Sequence, residues 1–60
     1  MATHFLTTEV GLVSERFIIR MESQDEDKWE VEFQTGNETR LTQAREADVD
    51  TFRLNASRLR

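Results

Sequence analysis

The residues in this chain best equipped for chemistry are carboxylates. Glu22, Asp25, Glu26, Asp27, Glu30 and Glu32 fall within one short stretch. Paired carboxylates run general acid–base chemistry when a cleft pushes their pKa values apart. Asp25-Glu26-Asp27 could also gather a divalent cation, but it lacks the spaced ligands and the glycine of a calcium loop. The more economical reading is a solvated hairpin tip. The chain has one histidine, His4, and no cysteine, so thiolate and multi-histidine metal sites are excluded. His4 has no nucleophile or acid patterned around it and is expected to be exposed. Gly11 and Gly36 stand alone, so no glycine-rich phosphate cradle exists. The expectation is a protein that is not an enzyme and needs no cofactor.

Charge can still be presented to a partner. Asp25, Glu26, Asp27, Glu30 and Glu32 form a row that could imitate a nucleic-acid backbone toward a basic groove. Arg45, Arg53 and Arg58 are the candidates for contact with something acidic. These eight residues are the expected partner-binding set.

The elements that position them begin with Trp29-Glu30-Val31-Glu32-Phe33. Its period of two puts Trp29, Val31 and Phe33 on one face of a strand and Glu30, Glu32 and Gln34 on the other. Upstream, Phe17, Ile19 and Met21 alternate with Arg16, Ile18 and Arg20, and a polar segment over 22–28 joins the two runs. They read as an antiparallel hairpin over 16–34, with Arg16 and Arg20 among Glu30 and Glu32 on the outer face. Ile18 is the odd residue on that face. Register is fixed because a one-residue slip turns the acidic row into the core.

Residues 2–13 are rich in threonine and valine and favour strand. They read as one bent strand or a short hairpin, pairing beside Phe17–Met21 through a turn near Val13-Ser14-Glu15. Thr35-Gly36-Asn37-Glu38 is a turn, and residues 40–42 briefly extend the sheet. Beyond Thr42, a plausible N-cap, the period changes. Leu41, Ala44, Val49, Phe52, Ala56 and Leu59 fall on one side of a helix. Two readings stay open for 43–58: one helix, or a short helix followed by a final strand. The fold class is α+β, a single small domain over 1–60 with an antiparallel sheet of about three strands packed against one C-terminal helix. The expected core is Phe5, Leu12, Phe17, Ile19, Met21, Trp29, Val31, Phe33, Leu41, Phe52, Ala56 and Leu59.

A chain of 60 residues buries only about 60% of its unfolded surface and is marginal alone. Without disulfides or metal, self-association is the remaining source of stability, so a homodimer is expected. The net charge is −4, with eight acids against three cations in residues 1–36 and four against five in residues 37–60. Overall acidity argues against binding driven by phosphate neutralisation. No stretch is apolar enough to span a membrane, and the first residues lack the pattern of a signal peptide, which points to a cytoplasmic location.

The primary expectation is a small interaction protein that binds and modulates or inhibits another macromolecule, a profile common among phage and mobile-element products. A purely structural dimerisation module is an alternative, and so is a small DNA-binding domain. For the latter, three strands and a helix over residues 16–56, with Lys28-Trp29 opening a strand and Arg45-Glu46-Ala47 early in the helix, resemble the arm-type DNA-binding domains of tyrosine recombinases. The resemblance implies DNA reading from the sheet face. Here that face carries Glu30 and Glu32, a departure from the pattern.

Overall fold

The alternating run around Val31 forms the central strand of an α+β fold. A computed structural model describes residues 4–58, with helix side chains described as far as Asn55. In chain order come β1 (Phe5–Thr8), β2 (Gly11–Ser14), a single 3-10 turn (Glu15–Phe17), β3 (Ile18–Ser23), β4 (Lys28–Thr35), β5 (Glu38–Arg45) and α1 (Glu46–Arg58). Strands β3, β4 and β5 form an antiparallel sheet in that order, and β1 and β2 form a separate two-stranded hairpin. The expected hairpin, sheet and C-terminal helix are all present, and residues 46–58 are helix rather than helix followed by strand.

Turn chemistry sets the connections. Between Thr35 and Glu38 the chain reverses in two residues, with Gly36 at φ 61°. Glycine suits the first central position of such a hairpin loop because it takes positive φ without a Cβ clash. The other hairpin reverses through Glu9-Val10, with Gly11 at φ 108° and the Thr8 hydroxyl donating to the Gly11 carbonyl at 2.8 Å.

Leu6, Val31, Ala44, Val49 and Phe52 make the buried cluster, with Ile18, Met21 and Trp29 packed against it. Leu6, Val31 and Val49 are fully buried, and each contributes about 1.5–3 kcal/mol by leaving water. Met21, Trp29 and Val31 therefore lie where the alternation puts them, and Phe52 where the helical period does. Phe33 is half-buried on the same face.

Five other expected core residues lie exposed: Phe5, Leu12, Phe17, Ile19 and Leu41. The causes are local. In the first hairpin Leu6 stands directly opposite Val13, and that pair turns inward, so Phe5 and Leu12 face out. Both faces of this hairpin carry apolar residues and threonines, so its pattern alone did not choose one. Phe17 closes the 3-10 turn ahead of the strand. A bulge between Ile18 and Arg20 adds one residue and breaks the period. Ile18, expected outside, thereby joins the core side in place of Ile19. Leu41 stands opposite Glu32 in β5, on the outer face, while Thr42 and Ala44 are buried. Thr42 is thus a strand residue and not a helix cap; the helix begins at Glu46. The N-terminal hairpin does not pair beside Phe17–Met21. It approaches the other side of the sheet, where the Glu9 amide donates to the Gln43 carbonyl at 3.0 Å. The side chains of Ala56 and Leu59 lie outside the described residues.

Candidate interaction surfaces

On the outer face of the β3–β4 hairpin, the register sets Arg20 opposite Glu32 and Glu22 opposite Glu30. One guanidinium serves all three carboxylates. Arg20 Nε donates to Glu32 Oε1 at 3.2 Å, Nη1 to Glu22 Oε2 at 3.1 Å, and Nη2 lies 4.0 Å from Glu30 Oε1. Glu30 and Glu32 are half-buried by this arrangement. Arg16, expected beside them, instead lies over the Phe17 ring, 5.5 Å from its centroid.

The hairpin tip is a compact polar loop. The amides of Gln24 and Asp25 both donate to the Lys28 carbonyl, at 2.9 and 3.2 Å, and the Asp27 amide donates to Asp25 Oδ1 at 3.2 Å. Asp25, Glu26 and Asp27 are fully on the surface side of this loop and exposed. Among the described residues, no three carboxylate or histidine side chains gather as a metal site. From Arg20 to Glu32 there are six acids and two cations, a surplus equal to the whole chain's net charge of −4. The remainder of the chain is balanced.

The arginines do not join the acids. Arg45 stands opposite Lys28 at the far end of the β4–β5 ladder. Both line a cleft of about 580 Å³ shared with Thr7, Thr8, Asp27 and Asp48, so two cations and several acids face one space. Arg53 lies on the helix, with its guanidinium 4.6 Å from the Trp29 ring centroid. The Arg58 side chain lies outside the described residues. The expected set therefore divides into an acidic hairpin, a mixed-charge cleft and a structural cation on the opposite layer.

Two features went unread in the sequence. Leu12, Phe17 and Phe33 line an apolar groove of about 240 Å³ with residues of the 34–36 turn. The alternation places Leu12, Phe17 and Phe33 in the core; the orientation of the first hairpin turns Leu12 out of it and the 3-10 turn turns Phe17 out. His4 is buried, not exposed, and its ring stacks on Phe52 with centroids 4.1 Å apart and planes 7° from parallel. Its Nδ1 lies 3.5 Å from Glu15 Oε2, yet neither ring nitrogen has a hydrogen-bond partner among the described residues.

No helix among the described residues is long and apolar enough to cross a membrane. No protein-family model matches the chain, and no curated protein or solved structure matches it.

Proposed function

We propose that this chain is a non-enzymatic interaction module that docks on a basic surface of another protein through its β3–β4 hairpin and so modulates or blocks that partner. The observation that carries this reading is the charge distribution. The hairpin holds the whole acidic surplus of the chain, and Arg20 fixes Glu22, Glu30 and Glu32 as a row. A pre-positioned row loses less side-chain freedom on binding than three independent carboxylates. It also steers a cationic partner into register. Asp25, Glu26 and Asp27 extend the same field at the tip.

A homodimer fits alongside this function on a separate surface. The groove between Leu12, Phe17 and Phe33 exposes apolar area on a domain with few fully buried side chains.

The test is capture of partners from host lysate by the tagged chain, with and without nuclease. A stoichiometric basic protein that survives nuclease, and is lost when Asp25, Glu26 and Glu30 are all replaced by their amides, supports the docking reading. Recovery of nucleic acid, or of partners that vanish with nuclease, overturns it in favour of DNA binding through the Lys28 and Arg45 end of the sheet.

A further inference from the structure

The acidic row borders an open sheet edge. β3 pairs with β4 on one side and, among the described residues, with no strand on the other. The hairpin loop decides which of its backbone groups are free. Because the Gln24 amide donates to the Lys28 carbonyl at 2.9 Å, Gln24 and Lys28 are a hydrogen-bonded pair. Antiparallel ladders alternate hydrogen-bonded and non-hydrogen-bonded pairs. Counting along the register from there, Ser23–Trp29 and Met21–Val31 are non-hydrogen-bonded pairs, and Glu22–Glu30 and Arg20–Glu32 are hydrogen-bonded ones. The N–H and C=O groups of Met21 and Ser23 therefore point away from β4, beyond the edge. Unpaired groups of this kind are a template for an added strand.

Resting on the docking reading above, we propose that an extended basic segment of the partner adds to this edge as a fourth strand. It exchanges main-chain hydrogen bonds with Met21 and Ser23 and sets a lysine or arginine beside Glu22.

The side chains on the two faces of β3 specify that segment. Residues directly opposite in a ladder share a face. The position opposite Glu22 lies on the outer face, beside three carboxylates that share one guanidinium, and takes a cation. The position opposite Met21 lies on the inner face, where Met21 is half-buried against the core, and takes an apolar residue. The pattern is apolar and basic in alternation. A second copy of this chain is the poorer occupant, because it places its own surplus of carboxylates beside the first. The Ile19 bulge limits the pairing to the end of β3 nearest the hairpin loop.

The full chain is titrated with a labelled seven-residue peptide of alternating valine and lysine. A second peptide of the same sequence is N-methylated on the amides that face the edge, which removes main-chain donors and keeps every charge. Amide exchange at Met21 and Ser23 is followed by NMR. Strand addition predicts slowed exchange at both amides with the first peptide. It also predicts binding weakened at least about tenfold by N-methylation, from two lost hydrogen bonds, and several-fold by Glu22→Gln. Equal binding of both peptides with unprotected amides overturns strand addition and leaves charge-driven docking standing. If neither peptide binds, strand addition is also overturned, and the lysate capture decides the docking reading separately. Protection that grows with protein concentration in the absence of peptide assigns the edge to a second copy and overturns the proposal.

Discussion

The guanidinium of Arg53, on α1, lies over the indole ring of Trp29, on β4, with 4.6 Å between its carbon and the ring centroid. This contact joins the helix to the sheet at the margin of the core, where Trp29 is only half-buried. It gives Arg53 a structural role on the layer opposite the acidic row. Replacing Arg53 by alanine should lower stability by about 0.5–2 kcal/mol, the range of such contacts, and shift the emission of the chain's single tryptophan. Urea unfolding followed by that fluorescence measures both. An unchanged midpoint and spectrum show that the stacking contributes nothing in solution.

The orientation of the first hairpin is open to a paired test. Leu6 is 0% exposed and Phe5 45% exposed, although they are neighbours and Phe5 is the larger. Leu6→Ala should cost about 2–5 kcal/mol. A domain of this size holds only about 3–9 kcal/mol in total, so that variant is at or beyond the limit of folding. Phe5→Ala should cost under about 1 kcal/mol. Circular dichroism melts of the two variants decide it, and the reverse order means that the hairpin presents its other face to the core.

What was legible in the sequence follows from where one periodicity acted alone. Trp29-Glu30-Val31-Glu32-Phe33 has acids on one face only, so its orientation, its pairing with the strand before it and the placement of Glu30 and Glu32 could be read directly, while the register of the first half of β3 could not. Phe5-Leu6-Thr7-Thr8 has no such contrast, and the choice between Phe5 and Leu6 is made by tertiary pairing with Val13. Leu41 and Ala44 fit a helical projection, yet residues 38–45 are strand because the tight turn at Gly36 returns the chain alongside β4. The bulge at Ile19 has no sequence marker, and it moves both Ile18 and Ile19. The acidic half of the candidate site was legible because it rides on the clear strand and its loop. The arginine half was not, because Arg45 and Arg53 lie on different elements and different layers.

Arg20 is the only cation paired with Glu22, Glu30 and Glu32 among the described residues. Arg20→Gln leaves Glu22 directly opposite Glu30 with no compensating charge, and like charges so placed repel. Because Arg20 and Glu22 are both more than half exposed, solvent screening limits the effect to about 0.5–1 kcal/mol at low salt. The difference from the parent chain should shrink toward zero in 1 M NaCl, where the screening length falls to about 3 Å. Urea midpoints at the two salt concentrations measure it. A salt-independent loss assigns Arg20 a packing role instead.

His4 offers a stabilising substitution. Its ring is stacked on Phe52 and buried, and both nitrogens lack hydrogen-bond partners among the described residues. A buried polar atom without a partner costs about 1–3 kcal/mol. His4→Phe keeps an aromatic ring on Phe52 and removes the polar atoms, and should raise the unfolding free energy by about 1 kcal/mol after the strain of a larger ring. His4→Ala should lower it, since it empties the stacked position. If His4→Phe also destabilises, an imidazole nitrogen has a partner in solution, with Glu15 at 3.5 Å the first to examine.

The groove at Leu12, Phe17 and Phe33 tests the dimer separately from partner docking. Leu12 is 68% and Phe17 50% exposed, so neither contributes much to the core of one copy. Exposed apolar residues of this size, brought together around one depression, are the usual centre of an interface. Leu12→Ser combined with Phe17→Ser should leave the monomer fold nearly unchanged and abolish self-association. Sedimentation equilibrium across a hundredfold range of concentration reads the mass. In the parent chain the melting temperature should rise with concentration, because association stabilises only the folded state. In the double variant it should not. A parent chain that sediments as a monomer throughout, with a concentration-independent melting temperature, removes the dimer and leaves the groove free for a partner. A dimer that survives the double variant moves the self-interface to another surface, with the outer-face residue Leu41, 60% exposed, the next position to change.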